Sequence, residues 1–261
     1  MKPKKTPADC VIESGDILNC NTDSGRKRRA LTFKPWPNGR ITYSFDALPD
    51  TVAHKSFSIS KHEAVHRVVT QFSQFPMLQF VNVPFDEAHL QFHVPKNPTL
   101  CSATVGFDLN ARVNLGASAF CFSAPTIIHE LGHVAGLEHT QNRNDRDKFI
   151  RVPTVNNRPF EGNFFFDFRS IMMYSLNTLQ ATLTSKGRTR LKLQNVEAAD
   201  VGHAVALSPQ DIQTLVFYYG GKGPTEETAP TSYLPLLYVA SGLLVLVVAM
   251  YVVHRKTKSQ F

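Results

Sequence analysis

The sequence predicts an α+β fold, with strands and one early helix in the first half and helices with irregular loops in the second. Apolar and polar residues alternate with period two at residues 40–45, 78–83, 89–94 and 111–115, as they do in half-buried strands. Apolar residues recur every three or four positions across residues 60–75, which indicates an amphipathic helix packed on that sheet.

The run from His129 to His139, H-E-L-G-H-V-A-G-L-E-H, predicts a metal site. His129 and His133 are four residues apart, so on a helix both imidazoles project from one face and can reach one zinc ion at about 2.0–2.1 Å. His139 cannot lie on that face, so the chain must turn back, and Gly136 can adopt the left-handed conformation that ends a helix. Three protein ligands leave a fourth position for water, as in catalytic zinc sites.

Glu130 directly follows the first histidine and is placed to act as a general base on a water molecule. A single histidine is most often an ordinary core or surface residue. Five specified residues in one short frame favour the metal site instead.

The extended frame resembles the metzincin zinc endopeptidases, in which this motif is followed by a methionine turn. Residues 170–174, S-I-M-M-Y, fit that turn, with Met172 as the methionine beneath the zinc. Within the metzincins the chain resembles the astacins, because residues 139–147 follow the family pattern H-E-x-x-R-x-D-R-D. Tyr174 matches the tyrosine that stabilises the oxyanion in astacins. Further matches lie at residues 36–39 and 207–212.

The resemblance covers roughly residues 30–219 and implies a metzincin-like catalytic domain of two subdomains. A twisted mixed sheet and the zinc helix would form the first, and an irregular C-terminal subdomain the second. The resemblance further implies one Zn²⁺ per chain and a hydrolase that cuts peptide bonds in protein or peptide substrates. It makes residues 111–115 the edge strand to which an extended substrate would add.

The resemblance also implies a disulfide between Cys101 and Cys121, for which the alternative is two buried free thiols. The bridge would require an oxidising compartment.

Three features depart from the astacin pattern. Thr140 replaces the glutamate that receives the freed N-terminus in astacins, so that contact is either missing or rebuilt. Met173 stands between the turn methionine and the tyrosine, where histidine is usual, and is expected to alter packing more than chemistry. Met77 and Gly220 occupy the positions of the family's other cysteine pair. Loss of both partners together indicates a rearranged family member.

Residues 1–29 resemble a propeptide, so the chain is expected to be made as a zymogen. The segment E-S-G-D-I at residues 13–17 resembles the family's F-x-G-D motif, in which Asp16 would take the open zinc position as a latency switch. Cys10 and Cys20 flank this segment. They would bridge to each other, or supply a thiolate to zinc, or have no role.

The basic run R-K-R-R at residues 26–29 precedes the matched region directly. A charge run is usually a solvated segment, but this position favours cleavage by a furin-like convertase after Arg29. Ala30 would then be the first residue of the mature enzyme.

The C-terminal region predicts a single-pass membrane anchor. Residues 220–232 form a short flexible stalk. Residues 233–253 carry no charge and would extend about 31 Å as a helix, enough to cross a hydrocarbon core of about 30 Å. The basic residues that follow place the tail, residues 254–261, in the cytoplasm and the catalytic domain on the extracellular or lumenal side.

The beginning of the chain conflicts with this topology, because the basic start after Met1 is not followed by the apolar core of a signal peptide. Either the chain lacks its natural beginning, or the C-terminal helix inserts after synthesis as a tail anchor. The first explanation is favoured, since the second would leave the protease in the cytosol.

The net charge of +7 does not predict a nucleic-acid surface. Residues 1–29 hold seven Lys/Arg against four Asp/Glu, and three further basic residues follow the apolar segment, so the middle is close to neutral. A second function remains open: a cell-surface adhesion or recognition protein built on an astacin scaffold that no longer cuts. The presence of all three ligands and Glu130 favours the peptidase.

Overall fold

The computed structural model describes residues 11–13, 17–19, 34–46, 51–54, 57–72, 75–153, 160 and 164–220. Several sequence predictions therefore lie outside the described residues: the latency switch, Cys10 and Cys20, the convertase site, the stalk beyond residue 220, the apolar segment at 233–253 and the cytoplasmic tail. Within the described ranges, no helix has the length and apolar character needed to cross a bilayer.

The described residues form eleven strands and four α-helices. The strands are β1 (Val11–Glu13), β2 (Ile17–Asn19), β3 (Arg40–Ser44), β4 (Thr51–His54), β5 (Phe57–Ser60), β6 (Gln79–Asn82), β7 (Leu90–His93), β8 (Cys101–Ala103), β9 (Ala111–Leu115), β10 (Ile150–Arg151) and β11 (Thr182–Leu183). The helices are α1 (Lys61–Phe72), α2 (Ala124–Val134), α3 (Ser185–Gln194) and α4 (Pro209–Tyr219).

A seven-stranded mixed sheet organises the first half, in the order β1-β2-β8-β9-β7-β3-β6. β7 pairs in parallel with both β3 and β9, and β8 runs antiparallel to β9. All four strands expected from the alternating pattern are present. The helix expected over residues 60–75 spans Lys61–Phe72. It buries Val65, Val68, Val69 and Phe72 in the core.

The expectation that residues 111–115 form the edge strand is wrong. β9 lies inside the sheet because the chain folds β8 back against it, with Cys101 opposite Leu115. The apolar residues of β9 are accordingly fully buried. Beyond β8, the N-terminal hairpin of β1 and β2 extends the sheet, with Ile17 paired in parallel to Ala103.

Two hydrophobic cores occupy the described part of the chain. The first lies between the sheet and helices α1 and α2, and the second is built from residues of the later half, including Phe149, Phe166 and Leu191. Met172 packs in the first core and its neighbour Met173 in the second. Met173, at the position where the family pattern has histidine, is thus part of the apolar packing of the second core.

Helix α2 has defined ends. Ser123 caps its N-terminus by accepting a hydrogen bond from the Thr126 N–H, and Gly136, with φ of 97°, reverses the chain just after its last turn. The indole of Trp36 donates to Val134 O at 2.6 Å, and the Tyr219 hydroxyl donates to Ala135 O at 2.9 Å. Residues from both ends of the domain therefore satisfy the carbonyl groups left open at the helix C-terminus.

The predicted disulfide joins Cys101 of β8 to Cys121 in the loop before α2, with a Cα–Cα distance of 5.6 Å. It closes a loop of 20 residues, worth about 3 kcal/mol in the chain-entropy model. Met77, at one position of the other cysteine pair of the family pattern, lies against the backbone at Gly39. At Gly39, with φ of 65°, a Cβ would lie 2.0 Å from Met77 O and 3.6 Å from the Tyr219 ring. Glycine is required there because the chain segments meet without room for a side chain.

His93 on β7 supplies a pH-dependent contribution to stability. Burial, together with the nearby positive charge of Arg112, lowers the pKa of His93 to about 4. The unfolded chain binds a proton at this histidine as the pH falls through 6.5, whereas the folded chain does so only near pH 4. The free energy of unfolding is therefore highest above pH 6.5 and falls as the pH drops toward 4.

We expect His93→Gln to remove this loss. Between pH 6.5 and 4.5 the variant should gain about 1–2 kcal/mol in unfolding free energy relative to wild type, a value reduced from the full pKa shift because His93 is partly solvent-exposed. Urea unfolding at several pH values measures this, with His66→Gln on the exposed face of α1 as the matched control. If the difference in unfolding free energy between wild type and His93→Gln did not change with pH, the pH dependence would not come from His93.

Candidate metal centre and active site

Three histidines converge at the end of α2. The Nε2 atom of His139 lies 3.1 Å from Nε2 of His133 and 3.3 Å from Nε2 of His129. His133 and His139 are fully buried, and His129 is partly buried. Helix α2 supplies the first two ligands and the return of the chain after Gly136 supplies the third, as the spacing predicts.

Backbone carbonyl groups fix the orientation of two of these rings. Nδ1 of His129 lies 2.8 Å from Ile171 O, and Nδ1 of His133 lies 2.7 Å from Leu137 O. Because a carbonyl oxygen can only accept, each Nδ1 must carry a proton, so in the neutral imidazole each Nε2 keeps its lone pair. Metal-ligating histidines show this arrangement, in which the second nitrogen donates to a fixed acceptor.

The donor set fits zinc. Ligand nitrogens at 2.0–2.1 Å from one tetrahedral ion are about 3.3–3.4 Å apart, close to the two distances measured here. Lone pairs that face one another at this distance repel unless a cation lies between them. Three imidazoles that can each coordinate through Nε2 constitute the neutral nitrogen set that zinc prefers.

The two residues expected to act on substrate adjoin this centre. Glu130 is 1% exposed and is held on α2 between the first two ligands. The ring centre of Tyr174 lies 4.6 Å from that of His139 and 6.2 Å from that of His129. The Tyr174 N–H donates to the Gln141 side chain at 3.1 Å, which fixes the backbone of the tyrosine.

The methionine turn lies directly beneath the ligands. Met172 is 1% exposed, and a Cβ added to Gly132 of α2 would lie 2.8 Å from its sulfur. The glycine of the motif therefore allows the turn to approach the helix between the two ligand positions. Met172 O in turn accepts a hydrogen bond from the Thr140 N–H at 3.0 Å, next to the third ligand.

Thr140, which replaces the family glutamate, is buried beside a small cavity. This cavity has a volume of about 40 Å³ and is lined in part by Glu138, Thr140, Asp167 and Asp211. A cavity of this size can hold a few water molecules. The lining also includes Arg143 and aromatic side chains, so groups of both charges and apolar groups surround the cavity.

A buried hydrogen-bond network lies behind the methionine turn, and the sequence does not predict it. Asp211 accepts hydrogen bonds from Ser170 Oγ at 2.7 Å, from the Ile171 N–H at 3.1 Å and from the Ser208 N–H at 2.9 Å. Burial raises the pKa of Asp211, and these three donors oppose that rise. The sequence does carry a signal for part of this network, since Ser208 and Asp211 form the capping box that begins α4.

The remaining predicted site residues are Asp16, Arg29 and Ala30. All three lie outside the described residues, so their roles stay predictions.

Comparisons with known proteins agree with this site. Residues 29–220 match the model of the Astacin peptidase family. Nematocyst expressed protein 6 of Nematostella vectensis is 27% identical over 223 residues, which cover 78% of this chain and 72% of that protein. Zinc metalloproteinase nas-7 of Caenorhabditis elegans is 28% identical and covers 87% of this chain. The chain spans 59% of the length of nas-7, and only 18% of the dorsal-ventral patterning protein tolloid of Drosophila melanogaster.

A solved structure shares the fold. High choriolytic enzyme 1, a hatching enzyme zinc-protease from Oryzias latipes, superposes with a TM-score of 0.53 at 20% identity. The match covers 72% of this chain and 94% of that one. The family match extends over most of the chain and includes every residue of the metal centre, so this chain belongs to the astacin family of zinc metallopeptidases.

Proposed function

We propose that this chain is an endopeptidase that hydrolyses peptide bonds in proteins, with His129, His133 and His139 holding one zinc ion. The observation that carries the proposal is the convergence of three Nε2 atoms, two of them with their protonation fixed by backbone carbonyl groups. Family membership supports the same reaction class.

The chemistry divides between the metal and two side chains. When bound, zinc would polarise the scissile carbonyl group and lower the pKa of water. Glu130 would accept a proton from the attacking water and deliver it to the departing amine nitrogen. The hydroxyl of Tyr174 would donate a hydrogen bond to the oxygen that becomes negatively charged as the tetrahedral centre forms. The burial of Glu130 keeps bulk water from competing for its proton.

Latency is a second part of the proposal. The pairing of β2 with β8, through Ile17 and Ala103, supports this part. If an extended substrate adds to β8, the hairpin of β1 and β2 would compete with it for that edge. Residues 14–16, between these strands, include the proposed switch Asp16. Cleavage by a convertase after Arg29 would separate the hairpin from a mature domain of residues 30–219.

Membrane attachment is the third part. Gly220 follows the last turn of α4, and residues 220–232 would link the domain to an apolar helix at 233–253. Two features support this assignment: the segment at 233–253 carries no charge over a length that can cross a bilayer, and basic residues follow it. The domain would then act on proteins outside the cytoplasm, which agrees with the Cys101–Cys121 bridge.

Glu130→Gln tests the proposed reaction. We expect it to lower kcat/KM for casein hydrolysis by the processed full chain about 10²–10⁴-fold, because the amide of glutamine cannot accept the proton. The variant should still contain one zinc per chain, measured by atomic emission. His133→Ala should lose both zinc and hydrolysis.

Two results would contradict the peptidase function. One is a Glu130→Gln protein that cuts as fast as wild type. The other is a correctly folded, zinc-containing wild type that shows no hydrolysis with or without a chelator. The second result would favour the adhesion or recognition function on the same scaffold.

Tyr174→Phe tests the oxyanion contact. We expect kcat to fall about 10²-fold with little change in KM, because the hydroxyl would interact only with charge that develops in the transition state. Steady-state kinetics on a peptide substrate measure both constants. A rise in KM at unchanged kcat would instead assign the hydroxyl to ground-state binding of substrate.

A further inference from the structure

We propose that Ser170 and Asp211 position the zinc ligand His129 through a hydrogen-bond relay across the Ile171–Met172 peptide. The relay starts at Oδ1 of Asp211, which accepts from Ser170 Oγ at 2.7 Å. Ser170 Oγ accepts from the Met172 N–H at 3.0 Å. The carbonyl of the same peptide, Ile171 O, accepts from Nδ1–H of His129 at 2.8 Å. This inference rests on the proposed metal site.

The direction of every hydrogen bond in the relay is fixed. The backbone N–H of Met172 can only donate, so the single proton of the Ser170 hydroxyl is left for the carboxylate of Asp211. Successive hydrogen bonds of this kind polarise one another. Electron density is thereby shifted along the peptide toward Ile171 O, which becomes a stronger acceptor for His129. A stronger acceptor at Nδ1 makes Nε2 a more basic metal ligand.

The relay is also mechanically held. The second oxygen of Asp211 accepts from the Ile171 and Ser208 N–H groups at 3.1 and 2.9 Å, so one carboxylate binds both the turn and the start of α4. Ser170, Ile171 and Asp211 are at most 6% exposed. The carbonyl that faces His129 therefore belongs to a segment fastened on both sides, and the imidazole is oriented before metal arrives.

His133 is oriented differently. Its acceptor is Leu137 O, and the Leu137 N–H donates to Gly132 O at 2.8 Å within the turn that ends α2. That support is local to the zinc helix. The support of His129 instead comes from α4, at the far end of the domain sequence, through the methionine turn. The orientation of one zinc ligand thus depends on a side chain of the last helix, Asp211.

The same network could act only as packing, and a matched pair of serines separates the two roles. The hydroxyl of Ser208 donates to Asp167 Oδ2 at 2.7 Å, the same distance as the bond from Ser170 to Asp211. Both serines are buried, at 2% and 5% exposure. Each hydroxyl also accepts one backbone N–H, from Met172 for Ser170 and from Asp211 for Ser208. Only the Ser170 hydroxyl lies on the path to His129.

The test compares Ser170→Ala with Ser208→Ala in the full chain. Zinc affinity is measured by competition with a chromogenic chelator, and stability of the metal-free protein by urea unfolding. We expect both variants to lower the unfolding midpoint to a similar extent. Ser170→Ala should weaken zinc binding about 10–100-fold, the usual effect of removing a group that orients a ligand, and Ser208→Ala by less than about threefold. The visible spectrum of the Co²⁺-substituted protein should change for Ser170→Ala alone.

Equal effects of the two substitutions on zinc affinity, or no effect of Ser170→Ala, would overturn the relay and leave the network with a packing role. Asp211→Asn is a second test of the relay, and the folded variant should also bind zinc more weakly. Because the readout is metal affinity, the relay is decided whether or not wild type cuts peptides. Its failure is therefore distinguishable from failure of the proposed peptidase function.

Discussion

The structure depends on the convergence of three imidazoles, in which Nε2 of His139 lies 3.1 Å from Nε2 of His133 and 3.3 Å from Nε2 of His129. Such an arrangement is unfavourable without a cation, so the surrounding fold must supply the free energy that maintains it. Several contacts of the domain hold the three histidines and the helix that carries two of them. Backbone carbonyl groups fix two rings, the disulfide ties the approach to α2 to the sheet, and Trp36 and Tyr219 bond the carbonyl groups at its end.

The methionine turn is the point at which this support is concentrated. Its two methionines enter different hydrophobic cores, its Ile171 carbonyl orients one ligand, and its Met172 carbonyl bonds to the backbone beside another. Gly132 allows the turn to lie against α2. This one short segment thus contacts both cores and two of the ligand positions. This position gives a physical reason for a methionine turn beneath the metal: the turn joins the two halves of the domain at the site itself.

The sequence predicted local features well. The spacing of the histidines, the return at Gly136 and the alternating strands each depend on a few neighbouring residues, and the structure contains all of them. The prediction of the edge strand is wrong, because strand order depends on how the loop after β8 folds the chain back and not on the pattern within β9. The Ser170–Asp211 network was missed for a related reason. Its partners are far apart in sequence, and a buried serine or aspartate carries no local pattern that names its partner.

The coordination of zinc in the purified full chain tests the central claim most directly, and X-ray absorption at the zinc K-edge measures it. Three imidazole ligands and one further nitrogen or oxygen, all at about 2.0–2.1 Å, are the expected result. Fewer than three imidazoles would show that the histidines do not act together, and this result would contradict the account.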